Sequence, residues 1–546
     1  MSRTPLMSRL KTALTLARLS EQGGLSDAEA LERFEAHREQ RRRVLKGGAA
    51  LLGAGALTAC GAPAAPLDSG LALGGGGLQP QGLSASPVLV VGAGIAGLTA
   101  AYRLRQAGVA VQIHEASGRI GGRMLTQQSA FGSKAVELGG EFIDSGHTRL
   151  RGLAAELGLA LRDVRLSDAD LSSDLYDFGG RLIPEAEVLR AFRPLARRIE
   201  RDLKGLNVDT VSYRTPGNGA RLDRTSLAEY LEAADLPKFL YDLLDVAYTT
   251  EYGLEIAEQS ALNLLYLIGT DPASFEIFGV SDERYTTAAG NGSIPQMLAQ
   301  RLSSSLTLGS RLLALRQARG GSYTLSFQQG SRTVDVRADQ VVLALPFTLL
   351  RQVELNLDLP RVKRLAIETL GYGSNAKLIA GFRERVWRSR ARSNGPSSNG
   401  SVFSDQPYQQ TWESSRTASS TGPAGALTNF RGGRQGLHLN EGSTEARITD
   451  WLRQSERVFP GLQAARDGNP GLRAHWPSNP YALGSYSAYR AGQWTGISGA
   501  EGEAVGGLHF AGEHTSSAAQ GYMEGGCESG ERVAREILAV VGKAAG

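Results

Sequence analysis

The sequence predicts an α/β fold, a Rossmann-type dinucleotide-binding domain interleaved with an α+β domain, from three observations. Residues 88–115, VLVVGAGIAGLTAAYRLRQAGVAVQIHE, run from an apolar segment through a glycine turn, a helix former and a second apolar segment to an acid. A helix-rich region at 226–267 is followed by strand-like segments at 306–315, 322–327, 333–336 and 340–345, so helical and extended patterning alternate along the chain. The 546 residues and 41% apolar content exceed what one small core needs and suggest roughly two to four domain-sized units.

The first segment specifies its own chemistry. Val88 to Val91 are continuously apolar, as a parallel strand buried on both faces requires. Gly92, Gly94 and Gly97 follow as G-x-G-x-x-G: the first for the tight turn, the second for close backbone approach to a pyrophosphate, the third for packing helix on strand. The spacing predicts a helix through Leu98–Gln106, stopped by Gly108, whose N-terminal N–H groups face the phosphates. A second strand is expected at 109–113, and Glu115 at its end would accept hydrogen bonds from ribose hydroxyls. An acid there repels a 2′-phosphate, so NADP is disfavoured while FAD and NAD both remain open.

The formal net charge of +4 resides in the first sixty residues, which hold 10 Lys+Arg and 6 Asp+Glu; the remainder holds 49 of each. A neutral body removes the main support for a nucleic-acid role. Gln40-Arg41-Arg42-Arg43-Val44-Leu45-Lys46 resembles the twin-arginine export signal, and the apolar run at 47–59 is too short to span a bilayer. Export through that machinery to the periplasm or the exterior is the expectation. Leu57-Thr58-Ala59-Cys60-Gly61 resembles a lipoprotein cleavage box, so a lipid anchor at Cys60 and ordinary cleavage near Ala62 or Ala65 are alternatives. Ahead of the arginines, Ser26-Asp27-Ala28-Glu29 resembles a capping box opening a charged helix. Cys60 and Cys527 are the only cysteines, and no metal-ligand spacing appears among the seven histidines.

Residues 61–86, rich in Gly, Ala, Pro and Ser, read as a flexible linker. Beyond Glu115, two further glycine doublets occur in Arg119-Ile120-Gly121-Gly122-Arg123 and Gly139-Gly140-Glu141-Phe142, where backbone can approach a bulky ligand and arginines can meet phosphates. Residues 88–143 resemble the FAD-binding start of the flavin-containing amine oxidases, in which R-x-G-G-R follows the ribose acid. Gly512-Glu513-His514-Thr515, Gly521-Tyr522-Met523-Glu524-Gly525-Gly526 and Glu528-Ser529-Gly530-Glu531-Arg532 are similar to the family's closing flavin segment. The resemblance therefore spans the mature body.

It implies an FAD-binding domain at 87–165, 281–360 and 471–546 and a substrate-binding domain at 166–280 and 361–470. FAD contacts are implied for Gly92, Gly94, Ala96, Gly97, Glu115, Arg119, Gly122, Arg123, Gly139, Gly140, Glu141, Phe142, Leu312, Trp476, Gly512, Glu513, Tyr522 and Met523, with the Leu312 backbone beside the adenine. Lys377, in the apolar run 375–382, would stand beside the flavin and hold a water, since an unpaired buried ammonium is costly. Tyr486 and Tyr522 fall on the two positions whose aromatic rings face each other before the flavin, where their negative faces can orient an amine. Some monoamine oxidases have, just before the first of these, a cysteine joined to the flavin. Ser485 cannot form that thioether, so non-covalent FAD is expected.

The implied reaction is FAD-dependent oxidative deamination of a primary or secondary amine, with molecular oxygen as acceptor and hydrogen peroxide as product. An L-amino acid oxidase is the nearest alternative. Many of those carry G-A-M-R where this chain has Gly139-Gly140-Glu141-Phe142, and the missing arginine favours simple amines. A flavin desaturase and a non-catalytic flavin-binding lipoprotein would not require both tyrosines and the lysine. A long ordered excursion with one mobile tip is expected at 388–434, on the strand-like runs 402–405 and 410–413.

Overall fold

Strand β1 (Val88–Val91) is buried along its whole length because it separates two cores. Val88 and Val90 face a cluster containing helix α1 (Ile95–Gln106), while Leu89 and Val91 face a second cluster with Leu312, Leu315 and Phe327. That period-two division explains why the run is apolar at every position. The computed structural model describes residues 86–131, 134–168, 171–389, 397–417 and 422–544, all within the unit Leu83–Gly546. The twin-arginine segment, Cys60 and the linker up to residue 85 lie outside the described residues.

β1 is central in a five-stranded, wholly parallel sheet. On one side it pairs with Val341–Leu343, which pairs with Leu508–Phe510; on the other it pairs with β2 (Val111–His114), then Leu306–Thr307. α1 and the C-terminal helix Met523–Ala544 cover one face. β2 begins two residues later than its composition suggests, since Gly108 turns the chain in the left-handed region (φ +81°) and Val109 serves as an apolar plug. The single strand expected at 306–315 is two. Gly309 (φ +63°) breaks the run, so Leu306–Thr307 joins the parallel sheet and Ser310–Gln317 joins a separate four-stranded sheet.

A seven-stranded sheet forms the other layer, in the order Leu472–His475, Ala376–Phe382, Gly425–Arg431, Gln410–Glu413, Val402–Ser404, Leu175–Phe178 and Arg181–Ile183. Its first strand follows residue 471 and pairs antiparallel with Ala376–Phe382. Val402–Ser404 and Gln410–Glu413 make the 388–434 excursion part of this sheet; 390–396 and 418–421 are outside the described residues. Against it packs a helical core that includes Glu185–Gly205, Leu227–Glu232, Lys238–Tyr252 and Ala261–Leu267. Leu227–Glu232 starts with a capping box, Ser226 with Glu229, and Lys238–Tyr252 stops at Gly253 in the left-handed region (φ +68°).

Candidate active site

The carboxyl ends of the parallel strands converge on one cavity of about 340 Å³, the position where doubly wound sheets bind ligands. Gly92 follows β1, Glu115 follows β2, Ala344 to Pro346 follow the third strand, and Gly512 and Glu513 follow the fourth; all line it. The cavity extends from this end to Glu251, Glu283, Tyr486 and Tyr522.

The glycine turn divides its tasks as its spacing predicts. Gly92 has φ +105°, and a Cβ there would lie 2.6 Å from the Ala344 carbonyl oxygen. Gly97 does not line the cavity; its missing side chain lets α1 pack on the Gly92 backbone. At Gly94 (φ −76°) a Cβ would meet no protein atom within 4 Å, so the space at this helix N-terminus is left open for something other than protein. Glu115 is clasped by protein, accepting from the Ala93 N–H (2.8 Å) and from the N–H and hydroxyl of Ser117 (2.9 and 2.8 Å). These bonds orient its carboxylate at the cavity wall, where Arg119 also lies. A glycine cradle at a helix N-terminus, with an acid at the end of the next strand, fits an adenosine diphosphate moiety such as that of FAD.

Leu312 lies on Ser310–Gln317, the strand that follows the Gly309 turn. It sits in the four-stranded sheet and packs into the second core beneath β1, paired with Phe327. Two residues earlier on the same strand, the Ser310 N–H donates to the Glu115 carbonyl at 2.8 Å. Arg123 lines the cavity, and its Nη1 donates to Glu513 and to the Ser485 carbonyl, each at 2.8 Å. Glu513 further accepts from the Ser487 hydroxyl (2.7 Å) and the Gly521 N–H (2.9 Å). Burial pushes the Glu513 carboxyl up, but Arg123 and these donors outweigh it and hold the group below the usual carboxylate range. Glu513 therefore ties the Arg123, 485–487 and 521 segments together.

Midway along the cavity, Lys377 projects from the fully buried strand Ala376–Phe382. Its Nζ donates to Glu141 Oε2 (2.8 Å), the Gly139 carbonyl (2.9 Å) and the Glu137 carbonyl (3.2 Å), and lies 5.4 Å from the centre of the Trp412 ring. Lys377 is 5% exposed, so the pair compensates two charges that burial would otherwise penalise. Glu141 Oε1 keeps no partner. Trp476, Met523, Ala96, Gly122, Gly139, Gly140 and Phe142 line the same space, and Trp476 is fixed by its indole N–H on the Leu138 carbonyl (3.0 Å). Ser485 gives its hydroxyl to Asn375 Oδ1 at 2.6 Å.

Both tyrosines expected to flank the substrate reach this cavity. The Tyr486 hydroxyl donates to the Thr250 carbonyl (3.3 Å) and the Tyr522 hydroxyl to Glu251 Oε1 (3.0 Å); burial pushes both phenols well up. Around them are Tyr252, Leu267, Phe278, Trp412 and Phe430. Three acids here, Asp144, Glu251 and Glu283, have no motif that would reveal them. Glu251 stands near the C-terminal end of Lys238–Tyr252. Glu283 is a non-glycine residue in the left-handed region (φ +43°), pinned by its N–H on Asp144 Oδ1 (2.9 Å). Burial, against the Tyr522 hydrogen bond and aided by the Asp144 charge, pushes the Glu251 carboxyl up to about 7. Burial and the Asp144 and Glu251 charges push Glu283 up to about 8.

The family whose sequence model matches residues 95–538 is described as flavin containing amine oxidoreductase. A flavin-containing amine oxidase of Danio rerio is 25% identical over 479 residues, covering 84% of this chain and 87% of that one. An L-amino-acid oxidase of Siganus canaliculatus is 25% identical over 474 residues, covering 82% and 85%. The solved cyclohexylamine oxidase from Brevibacterium oxydans superposes with a TM-score of 0.69 at 23% identity, over 84% of this chain and 99% of that structure.

Proposed function

The chain belongs to the flavin containing amine oxidoreductase family and is an FAD-dependent amine oxidase, and from that premise we propose that it deaminates a primary or secondary amine, releasing ammonia or the smaller amine and hydrogen peroxide. The observation that carries this reading is the meeting of Lys377, Tyr486 and Tyr522 in the cavity that begins at the glycine cradle. Bound FAD supplies a two-electron acceptor that oxygen restores, with peroxide as the product. The residues of the chain bind, orient and exclude water. Tyr486 and Tyr522, each held by a hydroxyl hydrogen bond, present ring faces between which an amine nitrogen is positioned. Loss of hydride from the carbon bearing that nitrogen gives an imine, and water hydrolyses the imine to carbonyl and amine. Lys377, fixed by three acceptors, provides a buried cation and donor between the two ends of the cavity.

The L-amino acid alternative is weaker because such a substrate needs a cation for its carboxylate. The cationic residues among the described lining are Arg119, Arg123 and Lys377. Arg123 and Lys377 are committed to Glu513 and Glu141, and Arg119 stands with Glu115 at the dinucleotide end. FAD is held without a covalent bond, since the chain has a serine at 485 and Cys527 is buried in the core around α1. Acid precipitation will therefore leave flavin in the supernatant; a yellow pellet contradicts this. The leader exports the protein by the twin-arginine route, anchored through Cys60 if that residue is lipidated. Replacing Arg41 and Arg42 by Lys will retain it in the cytoplasm, and unchanged export refutes the assignment. Peroxide release from purified protein with monoamines, polyamines and L-amino acids tests the main reading: turnover of an amine is expected, and silence with flavin bound rejects it.

A further inference from the structure

Charge is divided unevenly along the cavity. At the dinucleotide end and around Lys377, carboxylates and cations are matched: Arg123 with Glu513, Lys377 with Glu141. Beyond the two tyrosines, Asp144, Glu251 and Glu283 face a space whose remaining described lining contains no lysine or arginine. Asp144 is partly satisfied by the Glu283 N–H and by His147 (3.3 Å). Among the described residues, Glu251 accepts only from the Tyr522 hydroxyl. Glu283 lines the cavity with its side chain exposed to that space, and the carboxylate has neither a hydrogen bond nor an ion pair among the described residues. Arg416, whose charge acts on Glu283, is itself engaged by Asp168 (2.9 Å) and the Glu413 carbonyl (3.1 Å). Carboxylates that converge on a cavity without a counter-charge favour a ligand that supplies one.

We infer that the substrate is a dication, a primary diamine or a longer polyamine, whose distal ammonium is received by Glu283 and Glu251 while its reacting nitrogen lies between Tyr486 and Tyr522. The inference rests on the amine oxidase reading above and names its substrate class. A monoamine would fill the aromatic part of the cavity and leave Glu283 unpaired. A second ammonium several bonds from the first meets it, and the aromatic walls, Phe278 and Trp412 among them, accommodate the methylenes between. An amino acid carboxylate brought to this end would meet like charge.

The test compares kcat/KM of the holoenzyme for 1,4-diaminobutane, 1,6-diaminohexane and spermidine with n-butylamine and n-hexylamine. At least one dication is expected to exceed its matched monoamine by roughly 100-fold, and Glu283→Gln and Glu251→Gln are each expected to cut that ratio by about 10-fold or more. Retained flavin absorbance shows that the variants fold. Equal kcat/KM for dications and monoamines in the wild type overturns the inference while leaving the oxidase reading intact. So does a preference that survives in both variants, because the second charge is then read elsewhere. If no amine is turned over, the oxidase reading fails, and titration of the flavin absorbance with the same compounds decides the inference: tighter dication binding, lost in the variants, supports it, and equal binding overturns it.

Discussion

At the dinucleotide end of the cavity the wall is largely backbone, supplied by the turns that follow four parallel strands, whereas at the substrate end it is side chains drawn from a helix terminus, several loops and the seven-stranded sheet. The first kind of wall is written contiguously, since one β-α-β unit places Gly92, Gly94 and Glu115 within 24 residues. The second is assembled from Asp144, Glu251, Glu283, Tyr486 and Tyr522, which only the tertiary fold brings together. The difference teaches that binding a dinucleotide uses features common to every copy of the motif, while choosing a substrate depends on charges with no local signature.

Breaking the join between the two ends has the largest expected effect. Lys377→Met leaves Glu141 buried without its cation and should destabilise the fold by about 3–5 kcal/mol, read by denaturant unfolding. Adding Glu141→Gln should restore most of that stability without restoring turnover. Recovered turnover in the double variant would show that the lysine serves packing alone. Next is Gly94→Val. Its φ is ordinary and its Cβ direction is empty, so the fold should persist while FAD affinity falls by roughly 100-fold, about 3 kcal/mol. Undiminished FAD binding would remove the cradle from the dinucleotide end.

A smaller effect sharpens the contrast from the other side. The Glu251 and Glu283 carboxyls are raised from 4.5 to about 7 and about 8 in the folded protein. Between those values the folded chain holds more protons than the unfolded one, so these groups make stability decline as pH rises through that window. Glu251→Gln and Glu283→Gln should each flatten the decline in Tm between pH 5 and pH 8, by about 1–3 °C. A steeper decline would mean the carboxyls are not burdened by burial. The smallest change is expected of Tyr522→Phe. Losing the hydroxyl that donates to Glu251 should move the corresponding limb of the pH–rate profile upward by up to about one unit. A downward shift contradicts the assigned hydrogen bond.

Legibility in the sequence followed the same division. β1, α1 and β2 could be read within two or three residues because periodicity, the glycines and the terminal acid agree on one answer. Lys377 and the tyrosines were found through resemblance alone. An apolar strand with one lysine does not disclose that its partner is Glu141, 236 positions away. Nothing in an apolar 306–315 run reveals that Gly309 sends its two halves to different sheets. Nor does the sequence disclose that Arg123 meets Glu513, 390 residues distant. Glu251 and Glu283 resemble ordinary surface acids in sequence; only their convergence with Asp144 on one cavity gives them meaning.

The most direct test of this division mixes the purified yellow protein, without oxygen, with 1,6-diaminohexane, n-hexylamine and L-leucine, and follows loss of the oxidised flavin absorbance. An acid-lined substrate end joined to an FAD cradle predicts fast bleaching by the diamine, slower bleaching by the monoamine and none by the amino acid. Fastest bleaching by L-leucine would contradict it.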